Sequence, residues 1–383
     1  MSDLSLKRAL KVTPGASQTA SRRHGLVGPF SYPAFATSAF GTYITLEGGD
    51  TAIDLAGANA TVPLGYNHPD VISAVQRQLG TGGSLSLPSL LEAEASERLV
   101  SLLPFPSMVR WVKTGSESVS AAVAIARQLT ARKTIGVFED SYHGWHPWTR
   151  DTIKLNRWDF KGLLKVSAVI VESPRWKLVT KDDIEWLKRL RDACTKVGTL
   201  LIYDDVVYAF RYHKAGLQGS TGVRPDIACF SKALGNGMPV GCIAGEPDLM
   251  NETSYRVSST FGGEMLGLSA ANAVLKLHQE QDICGDLLRA GIGLQEKLKA
   301  SLKNTPITLF GTPQHFRFEA QSPQVFNQFL ELCIGSETDE LRVKEGAERL
   351  LVHRDANNIN LAINEKVADQ IAHTVKLAAR RCA

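Results

Sequence analysis

The sequence lacks the features that mark secreted, disulfide-bonded and membrane-spanning proteins. Its six cysteines are scattered without a Cys-x-x-Cys spacing, so a reducing compartment is expected. No apolar run approaches the roughly 18 residues that a membrane span requires. Residues 1–10 mix charges with leucines and do not form the apolar core of a signal peptide. These absences predict a cytoplasmic protein that does not enter a membrane.

A strong charge of either sign is also lacking. The formal net charge of +4 permits an anionic substrate or a nucleic acid but requires neither. With 44% hydrophobic and 21% charged residues, the composition is that of a globular protein. A length of 383 residues allows one large core and a smaller lobe. No metal site is predicted.

The most informative stretch is residues 225–241, which read PDIACFSKALGNGMPVG. Lys232 follows an apolar run and precedes three glycines, which let the backbone turn and approach whatever the lysine holds. A lone Ser-Lys pair is usually a surface feature. Upstream, however, residues 200–203 read as a buried strand that runs into Asp204 and Asp205, where a parallel sheet places its ligand crevice. A lysine and an acid in one crevice suit pyridoxal phosphate.

These segments resemble the class III pyridoxal-phosphate-dependent aminotransferase family. The resemblance covers residues 201–206 with Phe210 and Arg211, then 222–226, then 231–241. The ending Gly-Met-Pro-Val-Gly at 237–241 is most similar to the glutamate-1-semialdehyde aminomutase branch. The resemblance implies that Lys232 forms an aldimine with the cofactor pyridoxal 5'-phosphate, while Asp204 faces the pyridine nitrogen. Both are predicted to be catalytic.

The resemblance also implies an α/β fold, the type I fold of pyridoxal-phosphate-dependent transferases. Independently, the alternation of strands and helices over residues 109–245 predicts right-handed crossovers and a mostly parallel sheet covered by helices. We therefore expect a large cofactor-binding domain with a seven-stranded type of sheet over residues 46–275. A smaller α+β domain is expected over 276–383, joined by an extended N-terminal arm at 1–45. A hairpin is predicted within residues 41–55.

Residues 109–113 predict a strand that feeds Thr114-Gly115-Ser116-Glu117 and a long alanine-rich helix. Free backbone N–H groups and the positive end of a helix dipole meet at such a point, where phosphate binds well. A helix cap without a ligand is the alternative interpretation. The resemblance favours phosphate binding by Gly115 and Ser116.

The resemblance assigns further cofactor contacts. Tyr142 is expected to stack on the pyridine ring, with His143 close by and Val206 on the opposite face. Glu172 ends a predicted strand and matches the Glu-Pro segment of the family. Thr260, within residues 258–263, is expected to reach the phosphate of the cofactor in a partner subunit, which implies a homodimer with shared active sites.

The chain departs from the family pattern after Glu172, where Arg175-Trp176-Lys177 replaces a small residue and glycine. The segment between Tyr142 and Glu172 is also shorter than the gate of the aminomutase branch, so a wider active-site mouth is expected. The triplet is interpreted either as a functional rim or as ordinary solvated side chains. Glu264 replaces the usual asparagine of the 258–263 loop region.

The predicted function is transamination or aminomutation of a small or medium-sized amine or amino acid. The alternative is a decarboxylase or lyase for an amino acid carried on a larger anionic substrate, such as a nucleotide or modified nucleobase. The triplet motivates this alternative because bases stack on tryptophan and phosphates pair with arginine and lysine. A non-catalytic cofactor-binding protein is a third interpretation, against which Lys232 and Asp204 argue. The sequence does not identify the substrate or the residue that binds its carboxylate.

Overall fold

The computed structural model describes residues 2–29, 32–252, 257–335 and 345–382. The chain forms two compact units, of which the larger spans Pro69–Cys284 and the smaller combines Met1–His68 with Gly285–Ala383. These boundaries differ from the expected 45 and 275. Residues 46–68 group with the C-terminal region because the strand Thr51–Asp54 pairs with Leu350–Leu351. The helix that follows residue 264 packs on two helices of the larger unit, so that unit extends past residue 275.

The elements were numbered in chain order. The strands are β1 (Ala36–Phe40), β2 (Tyr43–Leu46), β3 (Thr51–Asp54), β4 (Met108–Val112), β5 (Ile135–Val137), β6 (Thr152–Lys154), β7 (Ala168–Glu172), β8 (Leu200–Asp204), β9 (Ile227–Phe230), β10 (Gly241–Gly245), β11 (Ile307–Gly311), β12 (His315–Ala320), β13 (Leu350–Leu351) and β14 (Asn357–Asn358). The helices are α1 (Ser2–Leu10), α2 (Gly57–Ala60), α3 (Pro69–Leu79), α4 (Leu90–Leu102), α5 (Gly115–Thr130), α6 (Lys181–Val197), α7 (Gly216–Thr221), α8 (Pro247–Glu252), α9 (Met265–Glu280), α10 (Ile283–Ser301), α11 (Pro323–Ile334) and α12 (Glu365–Arg381). Short 3₁₀ turns occur between them.

The larger unit is built on a seven-stranded sheet with the order β4-β10-β9-β8-β7-β5-β6. Strand β10 runs antiparallel to both of its neighbours. The pairs from β9 to β6 are all parallel. The predicted mostly parallel sheet of a type I transferase fold is therefore confirmed.

Both faces of this sheet are buried. Along β7 and β8, Val169, Val171 and Leu201 pack in one hydrophobic cluster. The alternate residues Ile170 and Ile202 pack in a second cluster on the opposite face. Successive side chains of a strand point to opposite faces, so an uninterrupted apolar strand needs cover on both sides. The helices provide this cover and leave the strand ends as the place for polar chemistry.

Three helices of the larger unit begin with reciprocal capping boxes, in which the side chains of the cap and of the third helical residue each accept a backbone N–H bond. These pairs are Ser89 with Glu92 for α4, Thr114 with Glu117 for α5, and Thr180 with Asp183 for α6. Each cap contributes about 1 kcal/mol of stability. The caps fix where α5 and α6 begin, and the start of α5 borders the site described below.

The described part of the smaller unit contains two small sheets and four complete helices. Strands β1, β2, β3 and β13 form one sheet, and β11, β12 and β14 form the other. The antiparallel pairing of β2 with β3 confirms the predicted hairpin. The expected extended arm instead begins with helix α1. In the part of the chain that the structure describes, no helix has the length and apolar character to cross a bilayer.

Candidate active site

Three adjacent strands bring polar residues to one edge of the large sheet. Glu172 at the end of β7 is the register partner of Asp204 at the end of β8, and Asp204 is in turn the partner of Cys229 in β9. Lys232 follows three residues after Cys229. All three strands are parallel, so their carboxyl ends share an edge, where open α/β sheets bind their ligands.

Asp204 is bound to His143 in the centre of this edge. The distance from His143 Nδ1 to Asp204 Oδ2 is 2.8 Å, and each residue is 6% exposed. The backbone N–H of Val206 donates to the second carboxylate oxygen over 3.3 Å. His143 Nε2 is also buried, and no group of the described residues accepts from it or donates to it. A bonded carboxylate beside an unpaired ring nitrogen indicates that a ligand completes this site.

Lys232 begins a 3₁₀ turn, Lys232–Gly235, directly after β9. Its φ of 49° lies in the left-handed region, which a residue with a side chain rarely adopts and which is often found at functional sites. The hydroxyl of Ser231 donates to the carbonyl of Val240 over 2.9 Å and holds the start of the turn. Burial, followed by the positive charge of Arg175, lowers the pKa of Lys232 to about 8.

The start of α5 lies against the same edge. A Cβ atom at Gly115 would lie 2.7 Å from Val206 Cγ1, so only glycine allows this approach. A Cβ atom at Gly144 would lie 2.5 Å from Ser116 Oγ. Helix α5 therefore begins between Val206 and the loop that carries His143. Its free N–H groups and positive dipole end create a favourable position for an anion.

Glu172 joins the loop of Tyr142 to the sheet. Its Oε2 accepts the backbone N–H of Tyr142 over 2.9 Å, and its Oε1 lies 3.4 Å from Arg175 Nε. Burial raises the pKa of Glu172, and the charge of Arg175 opposes that rise. The side chain of Tyr142 is 60% exposed. The sequence pattern marked Arg175 as a departure but did not reveal that it pairs with Glu172.

Asp205 has a different environment from its neighbour. It is fully buried, and its Oδ1 accepts the hydroxyl of Ser173 over 2.6 Å and the N–H of Leu217 over 2.9 Å. Burial raises the pKa of Asp205 to about 7. Successive residues of an extended segment point to opposite sides, so Asp205 supports the loops behind the site while Asp204 meets His143.

Thr260 makes none of the contacts described above. It is exposed, in the loop at residues 257–264 that precedes α9. Glu264, where the family usually has asparagine, is the N-cap of α9 and accepts bonds from the N–H groups of Leu266 and Gly267. It also pairs with Lys113 over 2.8 Å. Glu264 therefore both caps α9 and forms an ion pair.

The residues fit pyridoxal phosphate. A half-buried lysine and a buried carboxylate share one edge with a helix N-terminus, so the site offers a nucleophile, a partner for a protonated ring nitrogen and a phosphate position. The unpaired Nε2 of His143 leaves one hydrogen-bonding group for the ligand. Among the described residues, no cluster of His, Cys, Asp and Glu side chains could hold a metal ion.

Comparisons with known proteins agree with this geometry. The family described as aminotransferase class-III matches residues 28–149 and 161–309. A glutamate-1-semialdehyde 2,1-aminomutase of Bordetella avium is 30% identical over 339 residues, which cover 77% of this chain and 78% of that protein. The enzyme of the same name from Chloroherpeton thalassium is 29% identical over 345 residues, covering 80% and 79%.

A solved structure shares the fold over almost the whole chain. The FumI protein of Sphingopyxis sp. MTA144, in its pyridoxal phosphate internal aldimine form, superposes with a TM-score of 0.86 at 19% identity and covers 99% of this chain and 96% of that one. The family match spans well over half of the residues. The chain therefore belongs to the class III aminotransferase family of pyridoxal-phosphate-dependent transaminases and aminomutases.

Proposed function

We propose that this chain moves the amino group of a small or medium-sized amine or amino acid, with Lys232 as the catalytic base and nucleophile. The observation that carries the proposal is the meeting of Lys232, the Asp204–His143 pair and the start of α5 at one sheet edge. These groups supply a nucleophile, a fixed negative charge and a phosphate position. A transaminase and an aminomutase both require this set.

The cofactor, when bound, supplies an aldehyde and a ring that withdraws electrons from the substrate carbon. Asp204 would bind its ring nitrogen, and Gly115 and Ser116 would bind its phosphate. Tyr142 and Val206 would cover the two faces of the ring. His143 would border the ring through its Nε2. Glu172 would act indirectly, by holding the loop that carries Tyr142.

Lys232 acts first as a nucleophile and then as a proton carrier. With a pKa of about 8, roughly a tenth of its amine is unprotonated at pH 7, far more than for an ordinary lysine. The neutral amine can attack an aldehyde carbon and, once displaced by substrate, can move a proton between two carbon atoms. A positioned general base of this kind contributes about 10² to 10⁴ in rate.

The Asp204–His143 pair keeps negative charge in place. Both residues are nearly shielded from water, and a charge in such surroundings interacts more strongly than in solvent. The hydrogen bond between His143 Nδ1 and Asp204 restrains the carboxylate and leaves Nε2 without a partner among the described residues. Asp204 therefore stays oriented toward a cationic ring nitrogen without reorganisation during the reaction.

A homodimer with shared active sites is part of the proposal. Thr260 and its neighbour Phe261 are exposed, the latter by 56%. Leu85, Leu87 and Leu90 are also exposed, by 58%, 78% and 82%. Residues 83 and 265 are hydrogen-bonded, which joins these two segments. An apolar surface of this kind favours association with a second subunit.

The test is a single turnover of the holoenzyme without an amino acceptor. Each amine or amino-acid donor of a panel is mixed in excess with the holoenzyme, and the oxo product is quantified. Transamination yields one product molecule per cofactor, and aminomutation yields an isomer of the donor. Release of carbon dioxide in place of either product would contradict the proposal and support the decarboxylase alternative.

The covalent role of Lys232 is tested separately. Borohydride reduction should fix the cofactor on the peptide that contains Lys232, and Lys232→Ala should abolish both the labelling and the turnover. Lys161→Ala is the matched control because Lys161 is 92% exposed in the same unit. Full turnover by the Lys232→Ala variant would refute the proposal.

A further inference from the structure

A cavity of about 630 Å³ lies beside the reaction centre, wholly within the larger unit. We call it the side cavity. Phe138, which follows β5, and Glu172, which ends β7, both line it, so it opens at the same edge of the sheet as Asp204. Its volume is within the roughly 300–1,000 Å³ of small-molecule pockets.

Aromatic side chains form much of the wall: Phe138, Trp158, Trp176 and Trp186. Trp186 is buried, and the guanidinium of Arg157 lies 4.4 Å from its ring centroid. Trp158 differs because 74% of it is exposed, so its ring presents accessible surface to the cavity. Rigid aromatic walls bind flat rings by offset stacking at little entropic cost.

Two cations of the wall, Arg157 and Lys177, share the carboxylate of Asp183. Asp183 Oδ1 accepts from Arg157 over 2.7 Å and from Lys177 over 2.6 Å. Asp183 has a 10% exposed side chain, whereas those of Arg157 and Lys177 are 42% and 53% exposed. A guanidinium carries five N–H donors and an ammonium three, and the shared oxygen accepts one from each. The pair can therefore bind one more anionic group.

Two carboxylates outside this cluster also belong to the cavity wall. Glu139 and Asp140, both exposed, also line it, and they disfavour an anion in their vicinity. An acidic group is thus directed toward Arg157 and Lys177. Hydrogen bonds from Lys177 and Thr180 lower the pKa of Asp183 despite its burial, so the two cations stay in place around a charged carboxylate.

The side cavity borders the surroundings of the reaction centre at two residues, Glu172 and Arg175. Glu172 is the register partner of Asp204, and Arg175 lines the cavity while its charge acts on Lys232. The cavity and the reaction centre therefore meet at the Glu172–Arg175 ion pair. Arg175, Trp176 and Lys177, where the sequence differs from the family pattern, form part of the cavity wall.

We propose that the side cavity binds the distal part of the amine substrate, and that this part is an aromatic ring bearing an acidic group. The inference rests on the proposed function, because it assumes that the amine reacts at Lys232. It assigns Trp158 and Trp176 to the ring and Arg157 and Lys177 to the acid.

The first test uses ligands without an amino group, so that binding is measured apart from turnover. Isothermal titration calorimetry of the holoenzyme compares 3-phenylpropionate with hexanoate, which has no ring, and with 3-phenylpropanamide, which has no charge. We expect 3-phenylpropionate to bind at least about ten-fold more tightly than either. Equal affinities for the acid and the amide would overturn the assignment of Arg157 and Lys177, and equal affinities for the two acids would overturn the assignment of the ring.

Variants locate the binding. Trp158→Ala and Lys177→Gln should each weaken binding of 3-phenylpropionate about ten-fold. The matched controls are Phe40→Ala, which alters a 70% exposed ring on β1, and Lys161→Gln, which removes another exposed lysine of the same unit. Unchanged affinity in both cavity variants would refute the inference even if single-turnover experiments give an oxo product. Localised binding without any product from any donor would instead refute the proposed function and leave the side cavity as a binding site.

Discussion

The guanidinium of Arg175 pairs with the carboxylate of Glu172, with 3.4 Å between Nε and Oε1. After burial, the charge of Arg175 is also the largest influence that lowers the pKa of Lys232. One side chain therefore acts on both an acid and an amine of the site. The backbone carbonyl of Arg175 accepts the hydroxyl of Tyr212 over 2.5 Å, which helps to hold the residue in place.

Removing the charge of Arg175 should make Lys232 more basic. A cation disfavours a nearby ammonium, so Arg175→Leu should move the pKa of Lys232 upward from about 8. Less neutral amine is then present at pH 7, and capture of pyridoxal phosphate by the apoenzyme should slow several-fold there. The capture rate is measured as a function of pH. The rates of the variant and the wild type should converge above pH 10, because each pH unit above the pKa reduces the ratio of protonated to neutral amine about tenfold.

Arg175→Lys is the matched variant because it keeps the positive charge. It should leave the midpoint of the pH profile near that of the wild type. If Arg175→Leu also leaves the midpoint unchanged while slowing capture at every pH, Arg175 acts through packing and not through its charge.

Asp205 should make stability depend on pH. Its folded pKa of about 7 exceeds the value of roughly 3.9 for an unfolded aspartate. The stability that comes from its neutral form is therefore fully present below about pH 4 and is lost as the pH rises through 7. Asp205→Asn stays neutral, so its melting temperature should fall less between pH 5 and pH 8 than that of the wild type.

The expected difference in unfolding free energy at pH 8 is on the order of a few kcal/mol in favour of Asp205→Asn. Thermal melts at several pH values measure it. Asp286→Asn is the control because the side chain of Asp286 is 47% exposed, and its profile should parallel the wild type. Parallel profiles for all three proteins would show that Asp205 is charged in the folded state.

The sequence predicts what depends on local pattern. Capping residues and apolar periodicity locate α3, α4, α5 and α6 to within a few residues, and the strand that ends at Asp204 is recognisable from its apolar run. Contacts between distant segments are less accessible. The pairing of β3 with β13 and the bonds of Asp183 to Arg157 and Lys177 depend on the whole fold. Helix α1 has only nine residues, which is too short for a repeating apolar pattern to distinguish it from an extended arm.

Space at Gly115 should be essential for the cofactor. In Gly115→Ala the new methyl group would lie 2.7 Å from Val206 Cγ1, so helix α5 or residue 206 must shift. We expect the affinity for pyridoxal phosphate to fall at least about ten-fold, because the N–H groups of the helix start move with it. Spectrophotometric titration of the apoenzyme measures this affinity.

Gly293→Ala is the matched control. A Cβ atom at Gly293 would meet nothing within 4 Å, and the residue lies inside α10. This substitution should raise stability by about 0.5–1 kcal/mol through helix propensity and leave cofactor affinity unchanged. Equal affinities of the two variants would mean that α5 does not contact the phosphate.

The shared active site can be tested with mixed dimers. We expect Thr260→Ala to weaken cofactor retention and Lys232→Ala to abolish covalent attachment, so neither homodimer is fully competent. A mixed dimer has one Thr260→Ala chain and one Lys232→Ala chain. If Thr260 acts on the partner subunit, the intact Thr260 of the second chain completes the site that contains Lys232 of the first. That site then has both wild-type residues, while the second site lacks both.

The mixed dimer should therefore retain one cofactor with wild-type affinity and about half of the wild-type activity per dimer. Two different affinity tags allow its purification, and the ratio of bound cofactor to protein gives the count. If Thr260 acted within its own subunit, the only site with Lys232 would also carry the Thr260→Ala change, and no site of wild-type affinity would form. The two arrangements thus give opposite results with the same two substitutions when Thr260→Ala weakens cofactor retention in the homodimer, which the homodimer titration measures directly.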